Sequence, residues 1–136
     1  VKRARIVALV AGVLISSSVS AGVAMAAASA ARPDLEVDGG QLIDWDPTKY
    51  SNKKCLTTPA SKICYDHRDD AIYVLDRKKD GYGSVGWWKT PNRRGQCINN
   101  HGRGKWVVCL KNFPENQNIT FFSPWDGDGY KMTTRT

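Results

Sequence analysis

Helical patterning is scarce in this chain of 136 residues. Beyond residue 30, no stretch of ten or more shows helical periodicity without interruption by Gly or Pro. That excludes a helical bundle and leaves strands. Histidine is scarce too: His67 and His101 are the only two. Neither a Gly-x-Ser-x-Gly nor a His-Glu-x-x-His run occurs, so the common hydrolase signatures are missing. His67, His101 and Glu115, with Arg68 and Arg103, are residue types that small ribonucleases use to move protons and stabilise a phosphorane-like transition state. No motif surrounds them, and His101 lies between Asn100 and Gly102 at an expected hairpin tip. They are candidates, and no catalytic residue is assigned. Asp126-Gly127-Asp128-Gly129 is a fragment of a calcium loop that lacks a third acidic ligand and a closing bidentate Glu. Asp66, Asp69 and Asp70 cluster around Arg68. Both groups read as turn residues, so no metal and no cofactor is implied.

The cysteines are few but ordered. Cys55, Cys64 and Asp80-Gly81-Tyr82 form one set, and Cys97, Cys109 and Asp128-Gly129-Tyr130 form a second. Matching members are offset by 42, 45 and 48 residues. A period near 45 with its own cysteine pair predicts a duplicated, stapled scaffold, with halves at about 53–89 and 95–134. Cys55 and Cys64 lie symmetrically about Pro59-Ala60, and Cys97 and Cys109 about Arg103. In antiparallel hairpins each pair would face across the ladder, which predicts Cys55–Cys64 and Cys97–Cys109 disulfides. Closures of these lengths stabilise by roughly 2.5–3 kcal/mol each.

The first thirty residues have another character. Lys2, Arg3 and Arg5 precede an apolar run from Ile6 to Ile15, and an Ala/Ser-rich stretch ends in Ala28-Ser29-Ala30. This is the layout of a secretory signal peptide over residues 1–30. Its small-residue end favours cleavage over a membrane anchor, so no stable span is expected afterwards. Three Lys/Arg leave with it, and the net charge falls from +7 to +4. Four cysteines in an exported chain of about 106 residues fit two disulfides in an oxidising compartment.

Residues 31–52 read as an acidic N-terminal arm whose Leu42, Ile43 and Trp45 dock onto a core. After it the chain alternates strands and turns. Ile63-Cys64-Tyr65, Ala71–Leu75, Tyr82–Lys89, Gln96–Asn99, Lys105–Leu110, Ile119–Phe122 and Tyr130–Thr134 are the strand stretches. Asn100–Gly104 is a Gly-rich hairpin turn between two of them. The expected fold is all-β, a small sandwich or barrel of two stapled halves.

The run Asp76-x-x-x-Asp80-Gly81, then Trp87-Trp88, Gly95-x-Cys97-x-Asn99-x-x-Gly102-x-Gly104-x-Trp106-x-x-Cys109, Asn112, Glu115 and Ile119-x-Phe121 resembles small secreted two-disulfide β-proteins of actinobacteria. The resemblance spans about residues 63–122. It implies a bacterial, exported β-fold and no known activity. Secreted actinobacterial inhibitors of proteases and amylases share the size and the two disulfides, but the Trp-Arg-Tyr motif of the amylase inhibitors is missing.

From Gly81 to Pro114 there is no Asp or Glu. Lys89, Arg93, Arg94, Arg103, Lys105 and Lys111 are interleaved there with Trp87, Trp88 and Trp106. Cations beside aromatic rings bind anionic polymers by counter-ion release and stacking. The competing explanation is a solvated basic edge that blocks strand pairing. Trp87 and Trp88 are adjacent on a strand, so one faces the core and the other faces outward. An outward Trp together with Tyr130 or Trp125 would make a platform for sugar rings or for a partner's anchor residue. The expected binding set is therefore Trp87, Trp88, Arg93, Arg94, Arg103, Lys105 and Trp106. Its partner would be an anionic or carbohydrate polymer or a secreted enzyme. A non-enzymatic binding module is the expected role, with a small secreted hydrolase such as a ribonuclease as the alternative.

Overall fold

Alternation of inward and outward side chains, broken by Gly-, Asp- and Pro-containing turns, divides the described residues into ten strands. The structure, a computed structural model, describes residues 33–136 except Ser51. The expected signal segment 1–30 lies outside the described residues. The strands are β1 (Leu35–Gly39), β2 (Gln41–Ile43), β3 (Lys54–Thr57), β4 (Ser61–Asp66), β5 (Ala71–Asp76), β6 (Ser84–Lys89), β7 (Arg94–Asn99), β8 (Trp106–Leu110), β9 (Asn118–Phe122) and β10 (Lys131–Arg135). Each strand stretch expected from the sequence corresponds to one of β4 to β10. Among the described residues no helix is long and apolar enough to cross a membrane.

Two five-stranded sheets result. The first has the order β1-β7-β6-β9-β10 and the second β2-β8-β5-β4-β3. Pairing is antiparallel except between β1 and β7. Ile63, Tyr65, Ile72, Val74 and Val107 from the second sheet meet Trp88, Ile119 and Phe121 from the first in one core. Of the two expected architectures, the chain forms the sandwich.

Within the expected arm, residues 35–43 are built into the two sheets. Leu35–Gly39 is an edge strand of the first sheet and Gln41–Ile43 an edge strand of the second. The chain changes sheet at Gly40, whose amide donates to Ile98 O at 2.8 Å. A Cβ on Gly40 would lie 2.6 Å from Val107 Cβ, so only glycine lets the backbone pass that close. Both strands are short, and in β1 the usual pattern is reversed: Leu35 and Val37 face out while Glu36 and Asp38 take the less exposed positions.

Both disulfides pair as expected, but they do different work. Cys55 and Cys64 face each other in the β3–β4 ladder with Cα atoms 4.1 Å apart, a staple within one sheet. Cys97 lies on β7 and Cys109 on β8, in opposite sheets, with Cα atoms 5.9 Å apart. The Gly-rich segment is therefore a corner between sheets, where a hairpin turn was expected. Gly102 and Gly104 take φ of +88° and +80°. Gly104 donates to Asp76 O at 2.8 Å, and Asn99 Nδ2 donates to Val74 O at 2.9 Å and Lys105 O at 2.7 Å. These bonds carry the chain onto the second sheet. The repeated order of cysteines and Asp-Gly-Tyr is not matched by a repeated topology. β3, β4 and β5 are neighbours in one sheet, whereas β7, β8 and β9 alternate between sheets.

β2 and β3 are opposite edges of the second sheet, so the connection between them crosses its outer face. Trp45 packs edge-on against Tyr73 at 5.7 Å and against Tyr50 at 5.6 Å. Lys53 Nζ sits 5.5 Å from the Tyr73 ring centre and 3.3 Å from Asp66 Oδ2. Under this strap Cys64, Ala71, Tyr73 and Trp106 form a second apolar cluster.

Candidate polymer-binding face

The seven residues expected to form one binding surface are dispersed by the fold. Trp88 has no exposed surface and fills the core. It fits because Gly95 has no side chain: a Cβ there would lie 2.7 Å from Trp88 Cε2. Arg93 lies at the open edge of the sandwich, its guanidinium 5.6 Å from the Trp88 ring centre and 5.0 Å from that of Phe113. Its Nε and Nη2 donate to the two oxygens of Glu36 at 2.7 and 3.0 Å. Lys111 Nζ adds contacts of 2.7 Å to both Glu36 and Asp38. The Arg93 hydrogen bonds, with Lys111 helping against the opposing cost of burial, hold the Glu36 carboxyl down at about 2. Arg93 is thus committed to the fold. Trp106 is 7% exposed, beneath the strap. Lys105 borders a groove of about 670 Å³ beside Trp45 and Tyr50. Arg103 is at the sheet-changing corner, near Lys78 and Lys79.

The catalytic candidates are not brought together either. His67 is in the β4–β5 turn, before β5 begins. His101 is in the corner that bonds the far end of β5 through Asp76 O. A six-residue strand separates them, roughly 20 Å. Glu115 belongs to the turn after β8, on the His67 side, and all three side chains are exposed. Among the described residues no group of three His, Cys, Asp or Glu could hold a metal ion.

Trp87 and Arg94 do face outward together, on the first sheet. Ladder register builds two rows across its five strands. One row is Val37, Gln96, Trp87, Phe122 and Lys131; the next is Leu35, Arg94, Lys89, Thr120 and Thr133. Lys89, Arg94, Lys131 and, two residues along β10, Arg135 are the cations of this face, and its strand positions hold no carboxylate. The Trp87 ring lies 6.0 Å from Phe122 at a 31° tilt and 5.9 Å from Trp125 at 60°. Trp125 comes from the β9–β10 loop. That loop is held by Ser123 Oγ donating to Asp126 at 2.6 Å and by Tyr130 N donating to Gly127 O at 3.3 Å. Asp126 therefore acts as a turn residue. Beside the aromatic row, Lys89, Lys131, Phe122, Tyr130 and Asp128 line a shallow cleft of about 360 Å³.

Trp125 and Tyr130 were expected as platform partners of an outward Trp, and Trp125 packs against Trp87. Phe122 and Lys131 were missed. The parity of β9 carried the signal: Phe121 and Phe122 must face opposite sides, so one ring is placed outside.

The outer face of the second sheet is roofed by its own strap. The aromatic row of the first sheet is covered only in part: Trp125 packs on Trp87, whose Nε1 is buried without a hydrogen-bond partner, and Trp87 and Phe122 stay half-buried. No protein-family model matches the chain, and no curated protein or solved structure matches it.

Proposed function

We propose that this protein is an exported, non-catalytic binding module that holds an acidic polysaccharide of a cell surface or wall across the outer face of the first sheet. The observation that carries this reading is the contiguous Trp87–Phe122–Trp125 surface beside Lys89, Lys131 and Arg94. Sugar rings present C–H faces that stack on aromatic rings. Carboxylates on such a polymer pair with the surrounding cations, and released counter-ions add to affinity. The signal-like segment 1–30 and two disulfides support export.

The test is binding of the mature domain to polygalacturonate at increasing salt. With three or four cations engaged, affinity falls roughly tenfold or more between 50 and 200 mM salt. Trp87→Ala and the Lys89→Ala/Lys131→Ala pair each weaken it. Binding that ignores salt, or that survives both variants, overturns the proposal. So does RNA cleavage abolished by His101→Ala, which would make the chain a hydrolase. Recovery of one secreted protease or glycosidase without polymer retention would make the face an inhibitor surface.

A further inference from the structure

Tyr82 and Trp125 are the two most exposed of the large apolar side chains among the described residues, at 79% and 72%. They do not point to unrelated regions of solvent: both line one cleft of about 520 Å³, together with Lys78, Asp80, Asn100 and Asp126. That volume lies in the usual range for small-ligand clefts, roughly 300–1,000 Å³. An exposed aromatic ring is costly in water, and two lining the same opening suggest an occupant.

The geometry points to a site for an uncharged pyranose unit of a saccharide between Tyr82 and Trp125. Three observations carry it. First, the Tyr82 ring is presented by a fixed turn. Tyr82 N donates to Asp80 Oδ1 at 3.0 Å, Gly81 takes φ of +78°, and a Cβ on Gly83 would lie 2.5 Å from Asn99 O. Trp125 is likewise held by the Ser123–Asp126 bond and by Trp87. A turn set in place before binding loses little backbone entropy on binding.

Second, the polar lining is mixed, unlike the cationic sheet face. Asp80 Oδ2 and the Asp126 oxygen not taken by Ser123 can accept, Lys78 can donate, and the Asn100 amide can do both. Asp80 Oδ2 is only loosely paired with Lys78 Nζ, at 3.6 Å. Hydroxyl groups, each donor and acceptor at once, match such a lining; a polyanion does not, because two carboxylates face it.

Third, the two Asp-Gly-Tyr segments acquire a role. Tyr82 lines this cleft, Tyr130 lines the neighbouring one, and the β9–β10 loop bearing Trp125 stands between them. The inference does not depend on the acidic polymer proposed for the sheet face.

The experiment is a titration of tryptophan fluorescence with soluble hexamers of β-1,4-linked glucose and N-acetylglucosamine. At least one of them quenches Trp125 saturably, with affinity unchanged between about 50 and 500 mM salt, since no ion pair is screened. Tyr82→Ala weakens binding at least about tenfold, as expected for an aromatic anchor. Asn100→Ala weakens it less, and Lys89→Ala/Lys131→Ala leaves it unchanged. Circular dichroism and the melting temperature of Tyr82→Ala match the parent, because the side chain is exposed. Absence of saturable binding by either hexamer overturns the inference. So does binding that Tyr82→Ala leaves intact, as does binding lost with the two lysines. Polygalacturonate retention on the same samples reports separately on the sheet face.

Discussion

The two disulfides offer a direct test of the sheet assignment. Cys55–Cys64 closes a separation of 9 residues and Cys97–Cys109 one of 12. Loop entropy alone makes them nearly equal, about 2.6 and about 2.8 kcal/mol. The structure separates them. Cys55 is exposed at a sheet edge, whereas Cys97 and Cys109 are 0% and 5% exposed and join the two sheets through the core. Replacing Cys97 and Cys109 by Ala also empties space in that core, about 1 kcal/mol more per buried sulfur. The expected losses are thus about 4–5 kcal/mol for the Cys97→Ala/Cys109→Ala pair and about 3–4 for Cys55→Ala/Cys64→Ala, where one sulfur is buried. Against a total of roughly 5–15 kcal/mol, the first variant approaches the limit of folding. Urea denaturation of both double variants, followed by fluorescence and far-UV circular dichroism, measures the difference. Partial reduction under native conditions, with alkylation and peptide mapping, gives an independent reading. A small thiol reaches Cys55 first, and Cys97–Cys109 yields only as the sheets separate. Equal losses for the two variants would refute the cross-sheet placement as a source of stability, as would earlier reduction of Cys97–Cys109.

Gly95→Ala destabilises by about 2–3 kcal/mol, because its methyl group meets both the Trp88 ring and Glu36 O, 2.7 Å away; Gly129→Ala, with nothing within 4 Å, stays within about 0.5 kcal/mol. Denaturation midpoints of the two variants check this. Glu36 ionises at about 2 in the folded chain, below its ordinary 4.5. Its contribution is therefore complete above pH 4.5 and is lost as the pH falls through about 2. Glu36→Gln costs on the order of 1 kcal/mol at pH 7, a modest value for a partly solvated rim. The gap between parent and variant narrows as the pH falls below 4.5, measured by denaturation at stepped pH. The comparison isolates Glu36 from Asp66, which Arg68 and Lys53 hold down at about 2 against the cost of burial and which titrates in the same window.

Much of the fold was legible as local pattern. Period-two alternation marked β6, β-prone runs bounded by turn chemistry marked the other strands from β4 to β10, and the symmetric spacing about Pro59-Ala60 marked the β3–β4 staple. Parity on β6 required Trp87 and Trp88 to point to opposite faces; which of the two lies inside is decided only in the fold, where Gly95 leaves room for the Trp88 ring. The candidate face was half legible. Trp87 and Arg94 were found in the basic-aromatic stretch, but Arg93, Lys105 and Trp106 from the same stretch were assigned to a surface they do not share. In sequence they are neighbours of Trp87. In space Arg93 neutralises Glu36, and Trp106 lies beside Trp45 and Tyr50 of the strap.

What the sequence by itself determined is therefore whatever depends on near neighbours: strand identity from β4 onward, side-chain parity and cysteine partners. Only the tertiary structure decided which sheet each strand joins. With that it settled that Cys97–Cys109 crosses the core, that Leu35–Ile43 closes an edge of both sheets, and that Phe122, Trp125 and Lys131 meet Trp87. The reason is physical. Alternation is a property of one strand and repeats every two residues. Sheet partnership depends on how distant strands pack and on corners such as Gly40 and Gly102–Gly104, where a change of sheet and a hairpin call for the same residues.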